Sequence, residues 1–387
     1  MKNDIIVHFG MGFLPEGNAV ASRQQAISHM ITECGYTPVL IGICKDVAFG
    51  EYKKEIHNDV VCYSVKYASS LLNKAFDSFS IKKTFLKIFE DIGIDRIKCF
   101  IMQDYQFNAM RKMKNVCHKN GIAFAADLMD WFTPTRDYSI SKNIFKSIDM
   151  FFRANFLYPS LKNKIYVSSK FAKRFNKPKR NELIFPCTCK DIENTTNEAL
   201  LSRKNITITF AGEPGSRFQK EKIDWVVQAL YENASSIDMN IIGITKDTFV
   251  SRSPKMEKYL TDHIHFFGRI PRNECISVIK NSDFSIVPRL SNNLTMYGFS
   301  TKICESFVCG IPVIATDTSD NKKYIIDGEN GFVCDANYES LKQLLNQIDK
   351  LDRKSIVHMH QSLSKNNPLS TKQFMNCFSS FIKNLII

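Results

Sequence analysis

The sequence of 387 residues lacks any apolar run near the roughly 18 residues that a membrane-spanning helix needs. It also lacks low-complexity tracts and internal repeats beyond similar strand-to-helix turns. Its first ten residues, MKNDIIVHFG, read as a polar start and a first strand, not as a secretory signal. We therefore expect a globular, cytoplasmic protein, and a chain of this length favours two domains over a single core.

The twelve cysteines lack the spacing of a metal site or of a disulfide framework. No C-x-x-C sequence occurs, and Cys187 and Cys189 form the one close pair. Others, such as Cys304 and Cys309, fall within apolar segments. We expect reduced and mostly buried thiols, and the cysteines indicate no metal site.

Acidic residues are few relative to basic ones, since 39 Asp and Glu against 52 Lys and Arg give a net charge of +13. This positive excess favours an anionic partner, such as a nucleic acid, an anionic lipid or a phosphorylated substrate. The alternative is that the positive charge only keeps the protein soluble. The basic residues are scattered and no nucleic-acid motif is present, so nucleic-acid binding rests on charge alone and we do not predict it.

The first half of the chain has the alternation of strands and helices that is typical of a parallel sheet. A strand at 4–9 leads through a glycine-rich turn to a helix at 20–34 and a second strand at 36–43. The turn does not match G-x-G-x-x-G, which disfavours NAD binding. Further strands are predicted at 60–65, 98–103, 123–126, 164–169 and 183–185.

Two basic and aromatic segments, 66–93 and 141–158, leave alternatives open. The first suits an amphipathic membrane surface, but the helical spacing of its phenylalanines favours the protein core. Those phenylalanines are Phe76, Phe79, Phe85 and Phe89. The second segment suits either core packing or contact with a lipid-linked acceptor.

In the second half, a buried strand at 206–211 opens another series of strands and helices. The clearest part is a strand at 284–287, a polar loop and a helix at 301–309. A helix that follows a glycine-containing loop offers N–H groups and partial positive charge to an anion. Glu305, one turn into this helix, can accept hydrogen bonds from a ribose diol, although an ordinary solvated glutamate is the alternative.

The sequence G-F-S-T-K-x-x-E-S-x-x-x-G-x-P-V-I-A-T, followed by D-G-E-N-G-F, resembles the donor-binding half of GT-B-fold glycosyltransferases. More narrowly, it resembles the retaining family 4, group 1 enzymes that build bacterial surface polysaccharides such as O-antigen and capsule. The resemblance implies an α/β protein with two Rossmann-like domains that face a cleft. We expect an acceptor-side domain at 1–190, onto which 371–387 packs back as a helix, and a donor domain at 200–370, with a polar linker between them.

By this resemblance, Glu305 corresponds to the family glutamate that binds the nucleotide ribose. Tyr297 stands where the family has its other glutamate, so loop amides and Lys302 must supply the contacts to the donor sugar. The remaining residues that we predict to bind the donor lie in loops at strand and helix ends. They are Gly17, Gly212, Arg269, Gly298, Phe299, Ser300 and Thr301.

The resemblance also implies the catalytic groups. Arg217 and Lys222 correspond to basic residues that stabilise the donor diphosphate, with Lys220 as a substitute candidate. If these cations serve, no metal is needed, and no D-x-D sequence occurs in a strand-end loop. Asp127, after a strand, is the third predicted catalytic residue, with a helix N-cap as its alternative.

On the acceptor side, the resemblance points to Arg23 and Trp131. Arg23 lies early in the first helix, where a salt bridge is an equally good interpretation. Trp131 offers an aromatic ring for stacking on a sugar.

The implied activity is that of a hexosyltransferase. It transfers a sugar, with retention, from a nucleotide-diphosphate sugar to a glycan or lipid-linked acceptor in surface polysaccharide synthesis, without metal or other cofactor. Such an enzyme would work at the inner face of the cell membrane, where a positive protein meets anionic lipid. Two alternatives remain open: a non-catalytic nucleotide-sugar-binding subunit, which the tyrosine at 297 motivates, and a GT-B-like nucleotide-sugar epimerase.

Overall fold

The computed structural model divides the chain into two compact units, Met1–Lys190 with Thr371–Ile387, and Asp191–Ser370. The predicted linker falls almost entirely outside the described residues, as does the pair Cys187 and Cys189. The described residues are 4–15, 17–68, 71–135, 137–175, 180–186 and 202–386, without the side chains of 71–79.

The first unit is built on an eight-stranded sheet. Its strands are β1 Ile5–Phe9, β2 Thr37–Cys44, β3 Tyr52–His57, β4 Val60–Lys66, β5 Ile97–Gln103, β6 Ala123–Leu128, β7 Asn163–Tyr166 and β8 Asn181–Ile184. They are ordered β3-β4-β2-β1-β5-β6-β7-β8. The edge pair β3 and β4 is antiparallel, and the remaining neighbours are parallel. The fully buried strand β1 lies near the middle of the sheet, as a continuous apolar run in a parallel sheet predicts.

Helices cover this sheet. They are α1 Ala19–Glu33, α2 Leu71–Ile92, α3 Phe107–Lys119, α4 Ile140–Phe152, α5 Tyr158–Ser160 and α6 Ser169–Phe175. A π-helical turn, Arg153–Leu157, joins α4 to α5. In α2, Phe85 and Phe89 are fully buried, so the core prediction is confirmed for both. The side chains of Phe76 and Phe79 lie outside the described residues.

The second unit contains a six-stranded parallel sheet. Its strands are β9 Thr207–Ala211, β10 Asp238–Ile242, β11 Ile264–Gly268, β12 Phe284–Val287, β13 Val313–Thr316 and β14 Gly331–Cys334. They are ordered β11-β10-β9-β12-β13-β14. Its helices are α7 Ile223–Glu232, α8 Lys246–Arg252, α9 Arg272–Lys280, α10 Asn293–Tyr297, α11 Thr301–Val308, α12 Asn321–Tyr324, α13 Tyr338–Ile348 and α14 Arg353–Lys365. Strand order reverses between β9 and β12, which is where open parallel sheets bind ligands.

The last helix, α15 Thr371–Ile386, belongs to the first unit. Phe378 and Phe381 are buried in the core of that unit. The Asn181 side chain in β8 donates a hydrogen bond of 2.9 Å to the Phe381 carbonyl. The predicted fold class of two Rossmann-like α/β domains is confirmed. Of the described helices, none is both long and apolar enough to cross a membrane.

Candidate functional site

Glycines shape the carboxyl ends of three neighbouring strands in the second unit. Gly212 follows β9, Gly243 follows β10 and Gly268 ends β11, and all have positive φ. A Cβ on Gly243 would lie 2.4 Å from the Gly212 carbonyl oxygen, and a Cβ on Gly212 would lie 2.6 Å from Lys302 Cε. Side chains at these positions would collide with their neighbours, so glycine lets the loop after β9 approach the start of α11.

The start of α11 offers unsatisfied polar groups. The first N–H groups of any helix lack intrahelical acceptors and attract anions. Ser300 precedes α11 as its N-cap, is 1% exposed, and makes no side-chain capping hydrogen bond. Its hydroxyl has no hydrogen-bond partner among the described residues. A buried hydroxyl without a partner is costly, which suits a group that awaits a ligand.

Three charged side chains form a buried cluster that includes the second residue of α11. Glu221 Oε1 accepts hydrogen bonds from Arg289 Nε and Nη2, both at 3.0 Å, and Lys302 Nζ lies 3.2 Å away. Burial raises the pKa of the Glu221 carboxyl, but the charges of Lys302 and Arg289 outweigh it, and the net pKa is lowered. Burial in turn lowers the pKa of Lys302. The carboxyl is therefore ionised at neutral pH.

Arg289 and Lys302 differ in how firmly they are held. The Arg289 backbone N–H donates to Thr316 Oγ1 at 2.8 Å, and the Thr316 hydroxyl donates to the Arg289 carbonyl at 2.7 Å. Arg289 also grips Glu221 with two nitrogens. Lys302 contacts the carboxylate with one ammonium group on a flexible stem. Lys302 can therefore turn towards an anion while Glu221 stays paired with Arg289.

Glu305 lies on the same face of α11 as Lys302, because residues three apart on a helix are neighbours. Both line a small cavity together with Thr209, Ala211 and Ser285. Glu305 Oε1 is 3.5 Å from Arg272 Nη1, in a pair that is exposed on the arginine side. Such an exposed pair is weak, so the carboxylate remains available to ribose hydroxyls.

The loop from 212 to 222 carries the basic residues that we predict to contact the donor diphosphate. In the structure these residues differ in exposure and in their contacts. Arg217 and Lys220 are exposed, and Lys220 is close enough for its charge to act on Glu221 and Lys302. Lys222 instead places Nζ 2.8 Å from Asp224 Oδ2 and 5.3 Å from the centre of the Trp225 ring. An adjacent carboxylate therefore pairs with Lys222, and its contact with the donor diphosphate stays a prediction.

The predicted donor residues around 298–301 divide into side-chain and backbone candidates. The Phe299 ring is buried, 5.5 Å from the Tyr324 ring and edge-on to it, so its side chain supports the loop, and donor binding by Phe299 stays a prediction. Gly298 is buried with a φ of −77°, so left-handed backbone is not the reason for glycine there. Thr301 begins α11, where its N–H group is among those open to an anion. Arg269, after β11, is exposed.

We expect Gly212→Ala to weaken nucleotide binding at least tenfold, because the new Cβ would displace Lys302. The φ of +135° adds strain of roughly 1–3 kcal/mol to the folded state. Titration calorimetry and denaturant unfolding measure the two effects. Gly50→Ala is the control, since Gly50 also has positive φ but has no atom within 4 Å of its Cβ position. It should lose stability and keep nucleotide binding; equal binding by both variants contradicts the contact.

In the first unit, a buried ion pair connects α1 to the end of β6. Arg23 Nη2 lies 2.7 Å from Asp127 Oδ1, and Arg23 Nε donates to Oδ2 at 2.9 Å. Arg23 Nη1 also donates to the Phe185 and Pro186 carbonyls, each at 3.1 Å. Burial raises the pKa of Asp127, but the Arg23 charge outweighs it and keeps that pKa well below the ordinary range. Burial lowers the pKa of the neighbouring His8.

Two predictions are corrected by this pair. Arg23 is fully buried, so the salt bridge is its role and a direct contact with an acceptor or phosphate is not. Asp127 is likewise fully buried and bound through both oxygens, which makes it a positioning group and neither an N-cap nor a residue that touches substrate. Asp130, three residues further along, is an exposed carboxylate on the same loop.

Trp131 and Gly17 each make local contacts that give the residue a structural role. The Trp131 ring is half-buried, with the Arg174 guanidinium carbon 4.4 Å and the Phe175 ring 6.3 Å from its centre, so it holds the loop against α6. The Gly17 N–H donates to the Phe13 carbonyl at 2.7 Å, and a Cβ there would lie 2.6 Å from Phe13 Cβ. Acceptor binding by Trp131 and donor binding by Gly17 stay predictions.

Sequence reasoning missed two buried groups. Glu221 carried no signal, because a glutamate between two lysines in a polar loop is usually solvated. Asp104, after β5, accepts hydrogen bonds from Arg153 and Tyr158, and its N–H donates to the Asp127 carbonyl at 2.8 Å. The position of Asp104 at a strand end was the one available signal.

Residues 199–368 match the family described as "Glycosyl transferases group 1". Similar solved structures include sucrose-phosphate synthase from Thermosynechococcus elongatus, with a TM-score of 0.71 and 12% identity over 99% of both chains. The Anabaena protein HepE with UDP and glucose gives 0.65 and 12% identity, covering 99% of this chain and 100% of HepE. The lipopolysaccharide outer core galactosyltransferase WaaB gives 0.63 and 12% identity, covering 98% and 99%. Among curated protein sequences, none matches this chain.

Two parallel-sheet units with this topology and these similar structures define the GT-B fold. With the match of residues 199–368 to glycosyl transferases group 1, the predicted enzyme class, a glycosyltransferase, is confirmed.

Proposed function

We propose that the second unit binds a nucleotide-diphosphate sugar at the strand-order reversal, with the diphosphate at the start of α11. The observation that carries this proposal is the placement of Lys302 and Glu305 along one cavity, beside the buried Ser300 hydroxyl that lacks a partner among the described residues. Lys302 and the helix N–H groups suit phosphate oxygens, and Glu305 suits the ribose diol. The binding is that of a donor substrate, without a metal or other cofactor.

The chemistry follows from the leaving group. Transfer breaks the bond between the sugar and the nucleoside diphosphate, so negative charge grows on the diphosphate. Lys302, Lys220 and Arg217 stabilise that charge together with the start of α11, whose N–H groups are fixed and cost little reorganisation during the reaction. We assign retention of anomeric configuration, because the loop at 298–305 resembles that of retaining enzymes.

The acceptor is proposed to be a glycan or lipid-linked oligosaccharide of a bacterial surface polysaccharide. The similarity to the galactosyltransferase WaaB supports this choice, as does the loop sequence at 298–302. A lipid-linked acceptor would bring the enzyme to the inner face of the cell membrane. A uridine nucleotide is the first donor to test, since similar structures contain UDP with glucose or UDP-2-fluoro glucose.

The test is thermal unfolding of the protein with UDP, GDP, CMP, ADP and their sugars. A ligand at a hundredfold excess over Kd should stabilise the protein by about 2.7 kcal/mol. Glu305→Ala should weaken the selected nucleotide about 100-fold, since hydrogen bonds to a charged group contribute about 1.5–3 kcal/mol each. The control Glu339→Ala removes an exposed glutamate from α13 and should not change binding.

The outcomes distinguish the candidate functions of this site. A selective shift that Glu305→Ala abolishes, followed by transfer or hydrolysis of that donor, supports the proposed enzyme. Binding without turnover by the purified protein would favour the non-catalytic subunit. Interconversion of sugar epimers on the nucleotide would favour the epimerase. A stability gain that Glu305→Ala leaves intact would place the nucleotide elsewhere.

A further inference from the structure

Glu221 uses only one of its two carboxylate oxygens within the part of the chain that the structure describes. Its Oε1 accepts hydrogen bonds from Arg289 Nε and Nη2, both at 3.0 Å, and from Lys302 Nζ at 3.2 Å. Its Oε2 has no hydrogen-bond partner among the described residues, although Glu221 is 0% exposed. A buried acceptor that lacks a donor costs free energy, so this oxygen calls for an explanation.

The backbone on both sides holds this carboxylate in place. Glu221 and Arg289 form an antiparallel β-bridge, and the Glu221 N–H donates to the Pro214 carbonyl at 3.2 Å. The following N–H, of Lys222, donates to the Pro288 carbonyl at 2.6 Å. Because the backbone and Oε1 are both fixed, Oε2 cannot turn far towards another donor. Such a fixed group suits the recognition of a ligand, since recognition depends on preorganised contacts.

Lys302 connects Glu221 to the rest of the proposed donor site. Lys302 and Glu305 lie one turn apart on α11 and line the same cavity. The Lys302 ammonium group extends from there to Glu221, in the loop after β9. The side chains therefore follow one another in the order Glu305, Lys302, Glu221. A nucleotide-diphosphate sugar presents its ribose, its diphosphate and its sugar in the same order.

The donor sugar needs such a group, because the sequence lacks a carboxylate at the position where the resemblance predicts one. That position is Tyr297, the last residue of α10, whose side chain is a phenol. A hydroxyl makes a stronger hydrogen bond to an ionised acceptor than to a neutral one. Glu221 is the carboxylate that the fold of the second unit brings into contact with Lys302, and it comes from a separate segment of the chain.

We propose that Glu221 Oε2 accepts a hydrogen bond from a hydroxyl group of the donor sugar and thereby selects the sugar. This role rests on the proposed function, because it requires the diphosphate to lie at the start of α11. The Lys302 side chain is 13% exposed and that of Arg289 is 7% exposed, so the approach to Glu221 passes Lys302. When Lys302 turns towards the diphosphate, it opens this approach, while Arg289 still holds Oε1.

A donor sugar without this hydroxyl should bind poorly, because it would leave Oε2 buried and unpaired. A hydrogen bond to a charged group is stronger than one to a neutral amide. In the wild type, removing the hydroxyl should therefore weaken donor binding about 100-fold, whereas in Glu221→Gln the same removal should cost less than about tenfold. UDP carries no transferable sugar, so Glu221→Gln should bind UDP at least as tightly as the wild type, since a negative charge near the diphosphate is gone.

The test is titration calorimetry of the full chain with UDP, UDP-glucose and UDP-glucose that lacks the 2-, 3-, 4- or 6-hydroxyl. If thermal unfolding selects another nucleotide sugar, the deoxy series of that sugar is used. The matched control is Glu213→Gln, which makes the same change in the same loop, at a carboxylate that is 46% exposed and paired with Arg252. It should keep the wild-type cost of every hydroxyl removal.

Two results would overturn the role of Glu221 alone. One is a wild type in which no single hydroxyl contributes more than about tenfold to donor binding. The other is an equal cost of hydroxyl removal in the wild type and in Glu221→Gln, which would leave Oε2 to a buried water. Glu221→Asp keeps the charge but withdraws both oxygens by one methylene, so it should also lose the discrimination, and it serves if Glu221→Gln does not fold. If no nucleotide binds to the wild type, the proposed donor site itself is wrong, and the role of Glu221 with it.

Discussion

Replacing Lys302 with alanine is expected to lower kcat/KM for sugar transfer roughly 100- to 1000-fold. Lys302 is the flexible cation at the start of α11, where the diphosphate is proposed to lie. Loss of one donor that stabilises a growing negative charge costs about 2.7–4 kcal/mol of transition-state stabilisation. Steady-state kinetics with the donor identified by thermal unfolding measure the effect.

The fold should survive this change. Glu221 keeps its two hydrogen bonds from Arg289, so no buried carboxylate is left unpaired. We expect a Tm within a few degrees of the wild type for Lys302→Ala. Lys222→Ala is the matched control, because Asp224 already pairs with that lysine, and its kcat/KM should fall by less than tenfold. If Lys222→Ala lost more activity than Lys302→Ala, the assignment of the diphosphate cation would be wrong.

Replacing Arg23 with methionine is expected to destabilise the protein by about 3–5 kcal/mol, because it leaves a buried carboxylate without its partner. Arg23→Met also removes the donor to the Phe185 and Pro186 carbonyls. Chemical unfolding followed by circular dichroism measures the loss. Lys53→Met is the control: Lys53 pairs with Glu55 on the exposed edge strand, and its loss should change stability by less than about 1 kcal/mol.

The stability loss in Arg23→Met should depend on pH in a defined direction. The pKa of Asp127 is lowered in the folded wild type, so its contribution to stability is present above the ordinary carboxyl range and is lost as the pH falls through the folded pKa. In Arg23→Met, the Arg23 charge no longer opposes the effect of burial, so the pKa of Asp127 rises and the penalty is relieved on acidification. The stability difference between the two proteins should therefore begin to shrink above about pH 4, as the pH falls through the raised pKa of the variant, and should shrink further below about pH 4, where the wild type loses its own contribution. The double variant R23M/D127L should be more stable than Arg23→Met at pH 7, since it removes the stranded charge; a double variant that is less stable would contradict this account.

The fold could be predicted from the sequence because local patterns and topology agree. Continuous apolar runs such as Ile5–Phe9 occur in strands that are buried on both faces, and helices between them require parallel connections. Strand β3 and helix α14 are among the elements that escaped prediction. Strand β3 lies at the sheet edge and has the charged sequence YKKEIH, which carries no strand pattern. Its extended conformation therefore depends on pairing with β4. Helix α14 buries only a narrow stripe, including Ile356, Met359 and Leu363, which gives a weak periodic signal.

The candidate site was partly predictable for the same reason. Lys302 and Glu305 lie three residues apart in a predicted helix, so their common face follows from the sequence. The order of residues around 298–316 also sufficed for the resemblance to GT-B glycosyltransferases. These features depend on spacing within one segment, which the chain itself specifies.

Contacts between distant segments could not be read from the sequence. Arg23 and Asp127 lie 104 residues apart and look like surface residues until α1 and β6 bury them together. Glu221 and Lys302 are separated by 81 residues, and only packing brings the two side chains together. The local sequence pattern determines where helices and strands form and which of their faces are apolar, because backbone geometry is local. Which charged groups pair and become buried depends on which elements pack together, so only the tertiary structure decided those contacts.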